Sequence, residues 1–109
     1  MMDDALYHRF HSLANVGRKP SEEEWDELLR LFNQHQPVFH YFLTSHRYIL
    51  NDMELKTCML TRLHINPRAI SNMLGVSGAY ISKIRGKMVR KVFNDGGGPK
   101  RFELLIIDI

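Results

Sequence analysis

A chain of 109 residues with an apolar fraction of 44% suffices for one small domain with its own core, or a compact domain with a helical arm. It has no apolar run approaching the roughly eighteen residues of a membrane span, and its N-terminus reads Met-Met-Asp-Asp without a basic leader region. The single cysteine, Cys58, cannot form an internal disulfide. These features argue against a membrane protein and a disulfide scaffold, and predict a cytoplasmic protein.

The net charge of +3 conceals an uneven distribution. Residues 1–54 hold five Lys/Arg against nine Asp/Glu, and residues 95–109 hold two against three. Between them, residues 55–94 hold eight cations and no acid: Lys56, Arg62, Arg68, Lys83, Arg85, Lys87, Arg90 and Lys91. A window of one sign can lie against a polyanion without repelling it, and duplex DNA is the densest polyanion in a cell.

Residues 3–16 are predicted to be helical, since Leu6, Phe10, Leu13 and Ala14 share a face and Asp3 and Asp4 suit the positive end of the helix dipole. Gly17-Arg18-Lys19-Pro20 stops this helix. Ser21-Glu22-Glu23-Glu24 is a capping-box pattern, and the helix behind it puts Trp25, Leu28, Leu29 and Phe32 on one stripe. That spacing makes Trp25 a core residue rather than a ligand-stacking one. Gln36-Pro37 opens a third helix, with Val38, Phe39, Phe42 and Leu43 as its apolar face and an end near Ser45-His46-Arg47.

Asn51-Asp52-Met53-Glu54 starts a fourth helix, which runs to about Leu63 on Leu55, Met59, Leu60 and Leu63. Asn66-Pro67 opens a short fifth helix with Ile70, Met73 and Leu74 apolar. In Gly75-Val76-Ser77, Gly permits positive φ, Val76 is expected to plug the core, and Ser77 caps the next helix. That helix, Gly78 to about Val92, has Ile81, Ile84, Met88 and Val92 on one face and Ala79, Ser82, Lys83, Gly86, Lys87 and Arg90 elsewhere. Asp95-Gly96-Gly97-Gly98-Pro99 then breaks the chain. Beyond it Phe102, Leu105, Ile106 and Ile109 keep helical spacing; Leu104 to Ile107 also suits a strand, and the helix is preferred.

A short helix, a three-residue turn beginning with Gly and a basic amphipathic helix follow helix-turn-helix grammar. The runs Leu50-Asn51-Asp52-Met53-Glu54, Ile70-Ser71-Asn72-Met73-Leu74-Gly75-Val76-Ser77, then Ile81 and Met88-Val89-Arg90-Lys91-Val92 resemble the LuxR-type (GerE) helix-turn-helix domain, of the wider winged-helix-like group. That family reads Leu-Thr-x-x-Glu, then Glu-Ile-Ala-x-x-Leu-x-Ile-Ser, then Thr-Val, then Ile-x-x-Lys-Leu, and the spacing matches over residues 50–92 without a gap. Three positions depart from it. Ala69 stands for the usual acid, His64 for the usual Gly, and Tyr80 to Arg85 for the usual Thr-Val-x-x-His stretch, so no operator sequence carries over. Trp25, Leu28, Phe32 and Phe39 also fit the helices that precede such domains in Bacteroidetes regulators. The resemblance therefore implies either a small stand-alone member or the output end of a longer regulator.

An all-α chain is expected, with a helical platform at 1–48, a DNA-binding helix-turn-helix domain at 49–94 and a C-terminal tail with a short helix at 95–109. Ala79, Ser82, Lys83 and Gly86 lie on the outward face of the recognition helix, 78–92, and are the candidates for base edges in the major groove. Gly86 has two readings: a missing side chain brings the helix closer to DNA, or makes room for a neighbouring side chain. Arg62, Arg68, Tyr80, Lys87, Arg90 and Lys91 are the candidates for phosphates, which require only reach and a donor or charge.

Enzyme chemistry finds no support in the residues. Cys58 sits among apolar neighbours where an inert thiol is expected. His8 and His11 are i, i+3 neighbours, but no spacing supplies further metal ligands, and Gly96-Gly97-Gly98 lacks the Lys-Ser/Thr of a phosphate loop. No catalytic residue, metal or cofactor is expected. The function expected is sequence-specific DNA binding by a transcriptional regulator acting as a homodimer, with the first helix (Leu6, Phe10, Leu13) as the dimer seam. An upstream sensor region is a further possible partner. The alternative is a protein-interaction module, for instance one docking on RNA polymerase, that reuses the same fold.

Overall fold

The computed structural model describes residues 4–109, which form seven helices and no strand: α1 (Asp4–Val16), α2 (Glu22–His35), α3 (Pro37–Ser45), α4 (Asp52–Arg62), α5 (Pro67–Leu74), α6 (Gly78–Lys91) and α7 (Arg101–Ile107). The chain is all-α, as its periodicity predicts, and the ambiguous C-terminal segment is helical. Asp3 and the side chain of Asp4 lie outside the described residues.

Both capping boxes form. Ser21 Oγ accepts from Glu24 N–H at 3.2 Å while Glu24 Oε1 accepts from Ser21 N–H at 2.9 Å. Asn51 and Glu54 exchange the same pair at 2.8 and 2.9 Å. Each satisfies two backbone donors that a helix start leaves without partners. The Ser21 N–H, with Arg9 beside it, holds the Glu24 carboxyl below its ordinary range.

Three helix ends share one solution. After α1, Arg18 N–H reaches Leu13 O at 2.9 Å and Gly17 N–H reaches Ala14 O at 3.2 Å. After α4, Ile65 N–H reaches Leu60 O at 3.1 Å and His64 N–H reaches Thr61 O at 2.9 Å. After α5, Val76 N–H reaches Ser71 O at 3.0 Å and Gly75 N–H reaches Asn72 O at 3.4 Å. This closure needs a left-handed residue, and φ is 66° at Gly17, 63° at His64 and 69° at Gly75. Two of the three positions carry Gly. His64 makes the turn with a Cβ in place, at the position where the LuxR-type pattern has Gly.

One apolar cluster runs through all seven helices, from Leu6 to Ile106, so the segments 1–48, 49–94 and 95–109 share a core. α4 is packed by α5, α6 and α7. It therefore buries Glu54, Thr57, Cys58, Met59, Leu60 and Thr61, far more than the single stripe its apolar spacing suggests, while Leu55 is only half-buried. α7 contributes Phe102 and Ile106, both with no exposed surface. It is a wall of the core rather than a tail.

Two expectations fail. α3 buries Phe39 and Leu43, but Val38 is 66% exposed, because α3 packs chiefly on α2 along a narrow i, i+4 line. α1 is not a free seam either. Leu6, Phe10 and Leu13 are all buried, α1 lies on α5, and the Phe10 ring meets Trp25 edge-on at 5.5 Å. A helix whose whole apolar stripe is used inside its own core has none left for a second copy, and its removal would open that core.

Two stability measurements follow from these contacts. Trp25→Ala leaves a cavity beneath α1 and should cost about 3–5 kcal/mol in chemical denaturation. His64→Gly should raise stability by roughly 0.5–1 kcal/mol, the left-handed strain relieved less the backbone entropy that Gly loses on folding. An unchanged midpoint for His64→Gly would mean that His64 carries no strain in solution.

Candidate nucleic-acid interface

α5, the Gly75-Val76-Ser77 turn and α6 form a tightly joined pair. Asn66 Oδ1 caps α5 through Ala69 N–H at 2.8 Å, and Ser77 Oγ caps α6 through Tyr80 N–H at 3.0 Å. Ile70, Met73 and Leu74 of α5 and Ile81, Ile84 and Met88 of α6 are buried in the common core. Val76 is half-buried. With that face turned inward, α6 presents Ala79, Tyr80, Lys83, Lys87, Arg90 and Lys91 to solvent. Lys83, Lys87 and Arg90 follow i, i+4, i+7 spacing and so form one stripe.

The eight cations of residues 55–94 separate into two groups. Lys56 pairs with Asp52 at 2.9 Å. Arg85 Nη2 donates to Pro99 O at 3.0 Å and its guanidinium lies 5.7 Å from the Phe102 ring centre. Burial pulls Arg85 below the ordinary guanidinium range, with Glu103 pulling the other way. The remaining cations, apart from Arg62, are exposed: Arg68, Lys83, Lys87, Arg90 and Lys91. None of these five joins an ion pair among the described residues. Lys91 Nζ also donates to Ile49 O at 2.9 Å, which ties the segment after α3 to the end of α6.

Arg62 is turned into the fold rather than left free for a phosphate. Its Nε donates to Gln36 Oε1 at 2.7 Å, and its Nη1 donates to Ile106 O and Ile107 O at 2.7 and 2.9 Å. Its guanidinium also lies 5.0 Å from the Phe39 ring centre. The last carbonyls of α7 have no partner within their helix, and a cation placed there answers both the hydrogen bonds and the dipole. Desolvation lowers the pKa of Arg62. The partners lie 26 to 45 residues away in the chain, so local sequence holds no sign of this role.

Gly86 is likewise withdrawn from the DNA-facing set. It is buried, and a Cβ there would stand 3.5 Å from Pro99 Cδ and 3.6 Å from Pro99 Cγ. The 95–99 break folds back over this flank of α6 and covers it, with space for a Cβ at ordinary van der Waals distance. Of the proposed base readers, Ala79, Ser82 and Lys83 stay exposed, with Ser82 one turn ahead of the covered flank.

Cys58, His11 and His46 have partners within the fold. Cys58 is fully buried with its Sγ 3.8 Å from Met88 Sδ, and burial, together with the charge of Glu54, pushes its thiol far above the ordinary range. His11 Nε2 contacts Leu63 O at 2.8 Å, and His46 Nδ1 contacts Phe42 O at 2.8 Å. Among the described residues no three His, Cys, Asp or Glu side chains are grouped to hold a metal, and no helix is long and apolar enough to cross a membrane.

No family model, curated protein or solved structure matches the chain.

The covered flank of α6 has a measurable consequence. Gly86→Ala adds an ordinary van der Waals contact to Pro99 and removes a helix-interior glycine, so it should raise stability by up to about 1 kcal/mol in thermal denaturation. Duplex affinity, measured in parallel, should not change. A selective loss of affinity would return Gly86 to the interface.

Proposed function

We propose that this chain is a DNA-binding transcriptional regulator that lays the exposed face of α6 in the major groove of duplex DNA. One observation carries the reading: an ordered helix displays Lys83, Lys87, Arg90 and Lys91 with no ion-pair partner among the described residues, inside a forty-residue window free of Asp and Glu. A solvated helix face in a protein of mixed charge ordinarily carries both signs, whereas a phosphate-facing one gains from excluding acids. A helix of this width fits the major groove, and its first two turns are the part that reaches base edges.

In this arrangement Ala79, Ser82 and Lys83 face bases, and Arg68, Lys87, Arg90, Lys91 and the Tyr80 hydroxyl face phosphates. The resemblance of residues 50–92 to the LuxR-type pattern supports the same orientation. A single unit of this size reads only a few base pairs, so a homodimer on paired half-sites belongs to the proposal, with its seam outside α1. Docking on a protein such as RNA polymerase through the same unit is the rival, and it requires no affinity for duplex DNA.

Salt dependence separates the two. Four phosphate-bound cations should give a slope of log K against log salt of about −3 to −4. Lys87→Ala and Arg90→Ala should each reduce its magnitude by about one and weaken binding to all duplexes alike. Arg62→Ala should instead lower stability and leave the slope of the folded protein unchanged. Absence of salt-dependent duplex binding in the folded wild-type protein would overturn the proposal.

A further inference from the structure

A cleft of about 270 Å³ opens between α2, α3 and α4. Its apolar lining is Trp25, Leu29, Leu43, Leu55 and Met59. Trp25, Leu43 and Met59 are buried, but Leu29 and Leu55 are only half-covered by their own chain. The volume falls just below the range of roughly 300–1,000 Å³ typical of small-molecule sites, and it suits one large apolar side chain presented by something bigger.

The rim is charged, and its pairing decides its sign. Asp52 and Lys56 neutralise each other at 2.9 Å. The Lys56 ammonium lies 5.2 Å from the Trp25 ring centre. Arg47 keeps its charge but is turned toward Tyr48, with Nη2 donating to the hydroxyl at 2.8 Å and the guanidinium 4.9 Å from the ring centre. Against Arg47 stand Glu22 and Asp26, one turn apart on α2, exposed and without an ion-pair partner among the described residues, so the lining keeps a net charge of −1 concentrated on the α2 side. Glu23, also exposed, adds to the negative field. Nucleic acid is repelled from such a rim, and a basic partner is drawn to it.

We infer that the α2–α3–α4 cleft is a docking site for a cationic amphipathic segment of a partner protein, which seats one large apolar side chain against Leu29 and Leu55 and sets Lys or Arg on Glu22 and Asp26. This is helix-in-groove recognition, with an apolar anchor for affinity and rim charges for orientation. The site does not depend on the DNA reading. α4 contributes Leu55 and Met59 to the cleft and packs on α5 and α6, so the docked segment and the basic face are served by the same helix.

Trp25 is the chain's one tryptophan and lines the cleft, so its emission reports occupancy directly. The probe is a synthetic, tryptophan-free amphipathic helix of Lys and Leu, with a Glu/Leu analogue and a Lys/Ala analogue as controls. The Lys/Leu peptide should shift the emission saturably, the Glu/Leu peptide should not, and the Lys/Ala peptide should bind at least about tenfold more weakly. Glu22→Lys with Asp26→Lys should weaken the Lys/Leu peptide by about tenfold or more. Thr44→Phe, on the exposed lip, should abolish the response by filling the cleft, while circular dichroism confirms that both variants remain folded. Equal binding of the Lys/Leu and Lys/Ala peptides, an unaffected rim variant, or no saturable response would overturn the assignment. So would an emission shift that tracks protein concentration alone with dimer sedimentation, since a second copy would then occupy the cleft.

Discussion

A helix packed by three others must have the polar groups it buries answered from inside the protein, and α4, against α5, α6 and α7, is that helix. Its first turn is closed by the Asn51–Glu54 exchange, with Glu54 itself buried, and Thr57 Oγ1 donates to Met53 O at 2.8 Å. An unsatisfied buried carboxylate or hydroxyl would cost several kcal/mol, comparable to a large part of the stability of a domain this size. Among the described residues no buried side-chain nitrogen or oxygen lacks a partner. With α4 satisfied, α5, α6 and α7 can close around it, and the orientation of α6 follows from that closure.

The C-terminal segment turns this packing into a surface. α7 lies on α4 and α6, Pro99 covers Gly86, and two arginines are drawn inward to hold the arrangement. Arg85 answers the Pro99 carbonyl, and Arg62 answers the carbonyls of Ile106 and Ile107 at the end of α7. Arg62 makes three hydrogen bonds at once and Arg85 joins one to a stacking contact with Phe102, which suits a planar guanidinium better than an ammonium. The basic character of residues 55–94 is thus partly structural. The cations left outside are concentrated on one stripe of α6 and at Arg68.

Charge also separates the two candidate surfaces. α6 offers cations without acids, and the α2 rim offers acids whose neighbouring cations are already paired or stacked. Opposite fields on one small protein reduce competition, since a ligand drawn to one surface is repelled by the other. Both surfaces rest on α4, so a change in how α4 packs is felt at each.

Local chemistry made most of the architecture readable. Ser21-x-x-Glu24, Asn51-x-x-Glu54, Asn66-Pro67 and Ser77 each bind backbone groups within three residues, so the starts of α2, α4, α5 and α6 follow from adjacent side chains alone. Apolar spacing likewise determined the first six helices and left the seventh open between helix and strand, and the absence of acid between Leu55 and Asn94 pointed to α6. Contacts between distant segments were a different matter. Whether Val38 is covered depends on how many helices surround α3, and whether α1 spares a face depends on α5. Gly86 faces DNA or Pro99 according to where a five-residue break folds, and Arg62 meets a phosphate or a carbonyl according to where α7 ends. The sequence by itself determined the first six helices, their caps and the sign of each segment, because those arise from neighbours along the chain. Only the tertiary structure decided which cations are spent inside and which cleft stays open, because desolvation and pairing are set by whatever packs alongside.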